Sequence, residues 1–132
     1  ALAGEPFEPL ETVEGRLTSA LVARRSGSWS IARDGRLVRT PDGVEVDLSR
    51  RGAMRRVVAA LVRERESTGR ALDRVALAEA GWPGERLVDA AARSRVYTAV
   101  RSLRRMGLEG LLLTRDDGYL LDPAVEVDIH AP

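Results

Sequence analysis

Residues 93–121 read RSRVYTAVRSLRRMGLEGLLLTRDDGYLL, a cationic helical pattern that runs into a short hairpin pattern. At 100° per residue, Val96, Val100 and Leu103 share one side of a helix, while Ser94, Thr98, Arg101 and Arg105 share the other. The spacing predicts a helix over about 89–106 that stops at Gly107. Two strands follow, around 111–114 and 119–121, with Asp116, Asp117 and Gly118 as their turn. One side of such a helix packs and the other reaches outward. Guanidinium and hydroxyl groups on the outward side suit the major groove of duplex DNA, where arginine pairs with guanine and also meets phosphates. An ordinary solvated helix face carries the same residue types, so the flanking segments must decide between the two.

Upstream, Met54, Val57, Val58, Leu61 and Val62 fall at helical spacing between Ser49 and Glu66, with Ser49 opening the helix and Gly69 beyond its end. A second helix starts from Asp73 as its cap and runs through Val75, Leu77 and Ala78 to Ala80, where Gly81-Trp82-Pro83-Gly84 ends it. Before both, Asp34-Gly35 and Pro41-Asp42-Gly43 separate three alternating runs near 29–33, 36–40 and 44–47. These read as an antiparallel β-meander with Trp29 and Ile31 on its core side. Residues 1–27 read as a linker with a short helix over Thr12–Arg25, and residues 123–132 as a C-terminal tail. The domain itself is then 28–122. Its class is α+β, with an N-terminal antiparallel β-meander, a three-helix core and a C-terminal β-hairpin.

The chain has 132 residues, enough to bury one core. All 21 basic residues are arginine, so every cation is a planar, permanently charged fork suited to phosphate or guanine. The net charge of +1 conceals a strong segregation. Residues 49–106 hold 14 arginines against 6 acids, a balance of +8, whereas residues 107–132 balance at −5. A basic middle is the footprint expected of a nucleic-acid binder, although the whole chain is far less basic than most. There is no cysteine, which excludes disulfides and thiolate chemistry and fits the cytoplasm. No apolar run approaches the ~20 residues that span a bilayer, so no membrane association is expected.

The order strands, helix, helix, helix, hairpin is that of a winged helix-turn-helix. The wording of this sequence resembles the DNA-binding domain of OmpR/PhoB-type response regulators over about residues 28–122. The matching residues are Leu48-Ser49 before the first helix, Gly69-Arg70 and Leu72-Asp73 before the second, and Leu77 followed by Gly81-Trp82. The strongest match is Val96, Val100, Leu103, Arg104 and Arg105, followed by Gly118-Tyr119-x-Leu121. Leu113–Leu121 is also similar to the wing of actinobacterial antibiotic regulatory proteins. The resemblance implies a bacterial transcription regulator with the third helix in the major groove and the wing, about 111–121, near the minor groove. Ser94, Arg95, Tyr97, Thr98, Arg101, Ser102, Arg104 and Arg105 are the expected contacts on the helix, and Arg115 on the wing. It further implies RNA polymerase as a partner of the 82–92 loop, and a homodimer on DNA. Three positions depart from the family pattern: Ala99, Ser102 and the acidic wing tip Asp116-Asp117.

Some residues carry a structural reading beside the functional one. Trp82 reads as an anchor between helices or as part of the polymerase-facing loop. Arg50, Arg51, Arg55 and Arg56 read as a solvated face or as phosphate contacts. An enzyme is not expected, since the one histidine, His130, lies at the chain end without a catalytic partner and no phosphate-binding loop or metal-ligand cluster occurs. Neither a cofactor nor a small-molecule substrate is expected. The rival reading is a winged-helix protein–protein interaction module of a larger signalling protein, to which the acidic wing and tail would suit.

Overall fold

The hydrophobic periodicities of the chain resolve into three helices and two sheets in a computed structural model that describes residues 28–132. The helix read over Thr12–Arg25 lies outside the described residues. Strands β1 (Trp29–Ala32), β2 (Leu37–Arg39) and β3 (Glu45–Asp47) form the meander, with Ile31 opposite Val38 and Val38 opposite Val46. Those three side chains are buried, as alternation requires of a sheet with one face on a core.

Helix α1 (Gly52–Ser67) buries Val57, Val58, Leu61 and Val62. Its start corrects the assignment of Ser49 as the opening residue. The Asp47 carboxylate accepts from both the backbone N–H and the hydroxyl of Ser49, at 2.9 and 2.6 Å, so Ser49 is held in a turn at the end of β3. Arg51 occupies the capping position instead, with no side-chain capping bond, as a side chain without an acceptor must.

Strand β4 (Leu72–Asp73) precedes α2 (Arg74–Gly81), and Asp73 caps α2 by accepting from the Ala76 N–H at 2.8 Å. Helix α3 (Asp89–Leu103) then buries Ala92, Val96, Ala99, Val100 and Leu103 against α2 and α1. Its hydrogen bonding widens to a π-type turn over Arg104–Leu108, and Gly107 ends it at φ 140°. A side chain there would be both strained and crowded, since a Cβ would sit 3.3 Å from Val46.

The hairpin is β5 (Leu112–Arg115) and β6 (Gly118–Leu121), with Thr114 opposite Tyr119 and Asp116 at φ 55° in the turn. Strand β4 pairs with the other side of β6, giving a three-stranded sheet in the order β4-β6-β5. Two residues are too few to show a period, so β4 has no signature in the sequence. Gly118 therefore does more than end the turn, because a Cβ there would collide with the Leu72 carbonyl oxygen on the crossing strand.

Residues 123–132, read as a tail, are corrected by β7 (Val127–His130), which lies parallel to β1 with Trp29 opposite Val127 and Ile31 opposite Ile129. The first sheet is thus four-stranded, in the order β3-β2-β1-β7. Arg65 of α1 holds the chain between the two sheets by donating to the carbonyls of Asp122 and Val125, at 3.0 and 2.7 Å. Both sheets close on one core that includes Trp29, Leu61, Leu77, Leu103, Leu111 and Leu121.

Candidate nucleic-acid interface

Burial of Val96, Val100 and Leu103, each at most 1% exposed, fixes the rotation of α3 about its axis. Ser94, Arg95, Tyr97, Thr98 and Arg101 are consequently exposed, as is Arg105 in the following turn, while Ser102 and Arg104 are half-buried. Arg115 is exposed at the end of β5. Tyr97, 57% exposed, is a large ring with little packing to explain it.

The cations of this region fall into three groups. Arg93 and Arg95 meet carboxylates: Arg93 reaches Asp89 at 3.3 Å, one helical turn away, and Arg95 reaches Glu85 at 3.0 Å. Arg95 also lies 5.6 Å from the centre of the Trp82 ring, within reach of a cation–π contact. Arg104 is engaged by backbone. Its Nε and Nη2 donate to the Leu112 carbonyl at 3.1 and 2.8 Å, and Nη2 also donates to the Thr114 hydroxyl at 2.9 Å. Arg101, Arg105 and Arg115 form the third group, with no ion pair among the described residues.

Between α3 and the hairpin lies a cleft of about 460 Å³, bordered by Arg74, Arg93, Ser94, Tyr97, Asp116 and Asp117. Arg74 was not among the residues expected at the site. Its Nη2 shares Asp89 with Arg93 at 3.2 Å, and its Nε is a buried donor with no partner among the described residues. The packing of α2 on α3 and the pairing of β4 with β6 bring it there, and neither left a trace in the sequence. Asp116 and Asp117 are exposed on the other wall, so the cleft is cationic on its helical side and acidic at the hairpin tip. On the opposite flank of α3, Thr98, Ala99 and Ser102 face Met54 and Trp82 across a second, more apolar depression of about 410 Å³. The expected helical residues are therefore divided between two flanks and the ridge that separates them.

The basic cluster at the start of α1 divides as well. Arg56 donates to the Gly81 carbonyl at 3.0 and 2.8 Å, and Arg55 to the Asp34 carbonyl at 3.4 Å, whereas Arg50 and Arg51 are exposed. Trp82 and Tyr119 are half-buried against the core, as anchors would be. The one clear shift in acidity is on β3, among the described residues: the Ser49 hydroxyl and backbone N–H hold the Asp47 carboxyl below its usual range. Among the described residues no group of histidine, aspartate and glutamate is arranged to hold a metal ion, and no helix is long and apolar enough to cross a membrane. The chain matches no known family, no curated protein and no solved structure.

Proposed function

We propose that the chain is a winged-helix domain that binds double-stranded DNA with sequence preference in transcriptional regulation, with α3 as its recognition helix and the β5–β6 hairpin as its wing. The observation that carries this reading is the exposed set Arg101, Arg105 and Arg115, none of which forms an ion pair among the described residues, although Asp116 and Asp117 follow Arg115 directly in the chain. A guanidinium without an internal partner is ready for phosphate or a guanine edge. Ser94, Tyr97 and Thr98 add exposed hydroxyl donors on the same helix. Within this reading the domain pairs on DNA as a homodimer and presents the segment 82–92, whose last four residues form the first turn of α3, to RNA polymerase.

The test is fluorescence anisotropy of a labelled duplex titrated with protein over a range of salt. Neutralised phosphates release counterions, so affinity falls steeply as salt rises. Absence of association at low salt sinks the proposal. Selection from a random oligonucleotide pool then defines the preferred sequence.

A second reading, a protein-interaction module, draws on the acidic hairpin tip and on the tying of Arg93 and Arg95 to Asp89 and Glu85. It predicts that duplex binding is weak and does not depend on Arg101.

A further inference from the structure

We infer that Arg104 is a positioning residue, which fixes the hairpin against α3 so that Arg115 is aimed at the duplex, and that it does not itself contact DNA. The inference rests on the DNA-binding reading above. Strand β5 is an edge of its sheet, so the carbonyls of alternate residues point away from β6 and need other partners. Leu111 accepts from the Asp122 N–H at 2.7 Å across the sheet, which turns the next carbonyl, that of Leu112, outward. Arg104 takes that carbonyl with two donors and the Thr114 hydroxyl with a third contact. One planar group thus spans two residues along the edge and defines both the distance and the twist between helix and strand.

Arg115 follows directly on Thr114. It is the last residue of β5, it is exposed, and it has no ion-pair partner among the described residues. The turn beyond it holds Asp116 at φ 55° and two carboxylates that a phosphate would avoid. A small rotation of β5 would therefore exchange a cation for an anion at the DNA surface. Neighbouring Arg105 is exposed, so two adjacent arginines have divided roles, one outward and one committed to the hairpin.

The experiment compares Arg104→Lys, Arg115→Ala and their combination on a fluorescein-labelled random-sequence duplex, measuring affinity against salt. Lysine keeps the charge but lacks the fork that bridges Leu112 and Thr114. If Arg104 positions Arg115, Arg104→Lys lowers the slope of log affinity against log salt by about 0.9, as much as Arg115→Ala does, and weakens binding about 5- to 10-fold. The double variant then adds nothing further, as expected of two residues acting as one unit. Thr114→Val, which changes no charge, shifts affinity in the same direction by a smaller factor. A role confined to fold stability would lower the melting temperature and leave the slope intact. Arg104→Lys with the wild-type slope, or additive losses in the double variant, overturns the inference alone. Wild-type protein that fails to bind the duplex at low salt overturns the DNA-binding reading and the inference with it.

Discussion

In the first half of α3, Arg93 and Arg95 end on Asp89 and Glu85, whereas Arg101 in its second half and Arg105 just beyond meet no carboxylate among the described residues. The same residue type on one helix thus has two fates. Composition cannot separate them, because the acids that occupy the first pair lie 4 and 10 positions away and one of them comes from the loop before the helix. Arg93 is taken by the first residue of its own helix, and Arg95 by a loop that folds back beside the start of α3. The unpaired cations consequently lie in the second half of the helix and just beyond it.

The largest expected effect tests the packing on which both halves depend. Leu103 is fully buried in the single hydrophobic core, and Leu103→Ala should cost about 2–5 kcal/mol in chemical denaturation. A loss below about 1 kcal/mol would mean that α3 is not fixed by this face. Arg101→Ala should weaken duplex binding about 10-fold and reduce the salt slope by about one, while Arg93→Ala should change affinity by less than about 2-fold. Equal losses would erase the difference between the two halves.

Removing an acid sharpens the comparison from the other side. Glu85→Gln releases Arg95 and should raise low-salt affinity about 2- to 3-fold, an effect that fades as salt screens it. The pair Asp116→Asn and Asp117→Asn should raise it by a similar factor if the hairpin tip lies near phosphate. Asparagine tolerates the backbone of Asp116, so the turn should persist. No gain from this pair would place the tip away from the duplex.

The smallest effect concerns the end of β3. The Ser49 hydroxyl, then its backbone N–H, stabilises the Asp47 carboxylate and lowers its titration below the ordinary value of 3.8. A group depressed in the folded state adds stability that is fully present above its unfolded value and lost as pH falls through its folded value. Ser49→Ala should therefore raise the midpoint of the Asp47 carboxyl in an NMR titration towards the ordinary carboxylate value, while stability at neutral pH changes little. An unmoved titration would remove the hydroxyl as the cause.

The order of elements was legible because each long one carries its own period. Val57, Val58, Leu61 and Val62 mark α1, and Val96, Val100 and Leu103 mark α3, as helical spacing alone requires. The α2 cap at Asp73 and the stop at Gly107 were equally local, since capping and positive φ are properties of single residues. Ser49 misled because it has the chemistry of a cap, and only Asp47 in space shows that its donors are already engaged. Strands β4 and β7 stayed hidden for a different reason. One has two residues and the other four, and both are strands only by virtue of partners distant in sequence.

The candidate site divides along the same line. From the sequence came the outward set Ser94, Thr98, Arg101 and Arg105, because rotation about a helix follows from which residues are apolar. Tertiary structure decided which cations remain available. It gave Arg104 to the carbonyl of Leu112, Arg95 to Glu85 and Arg56 to Gly81, and it brought Arg74 into the cleft beside α3. The physical reason is that a guanidinium sits at the end of a long flexible stem, so its partner is set by whatever the fold places within reach and not by its neighbours in the chain.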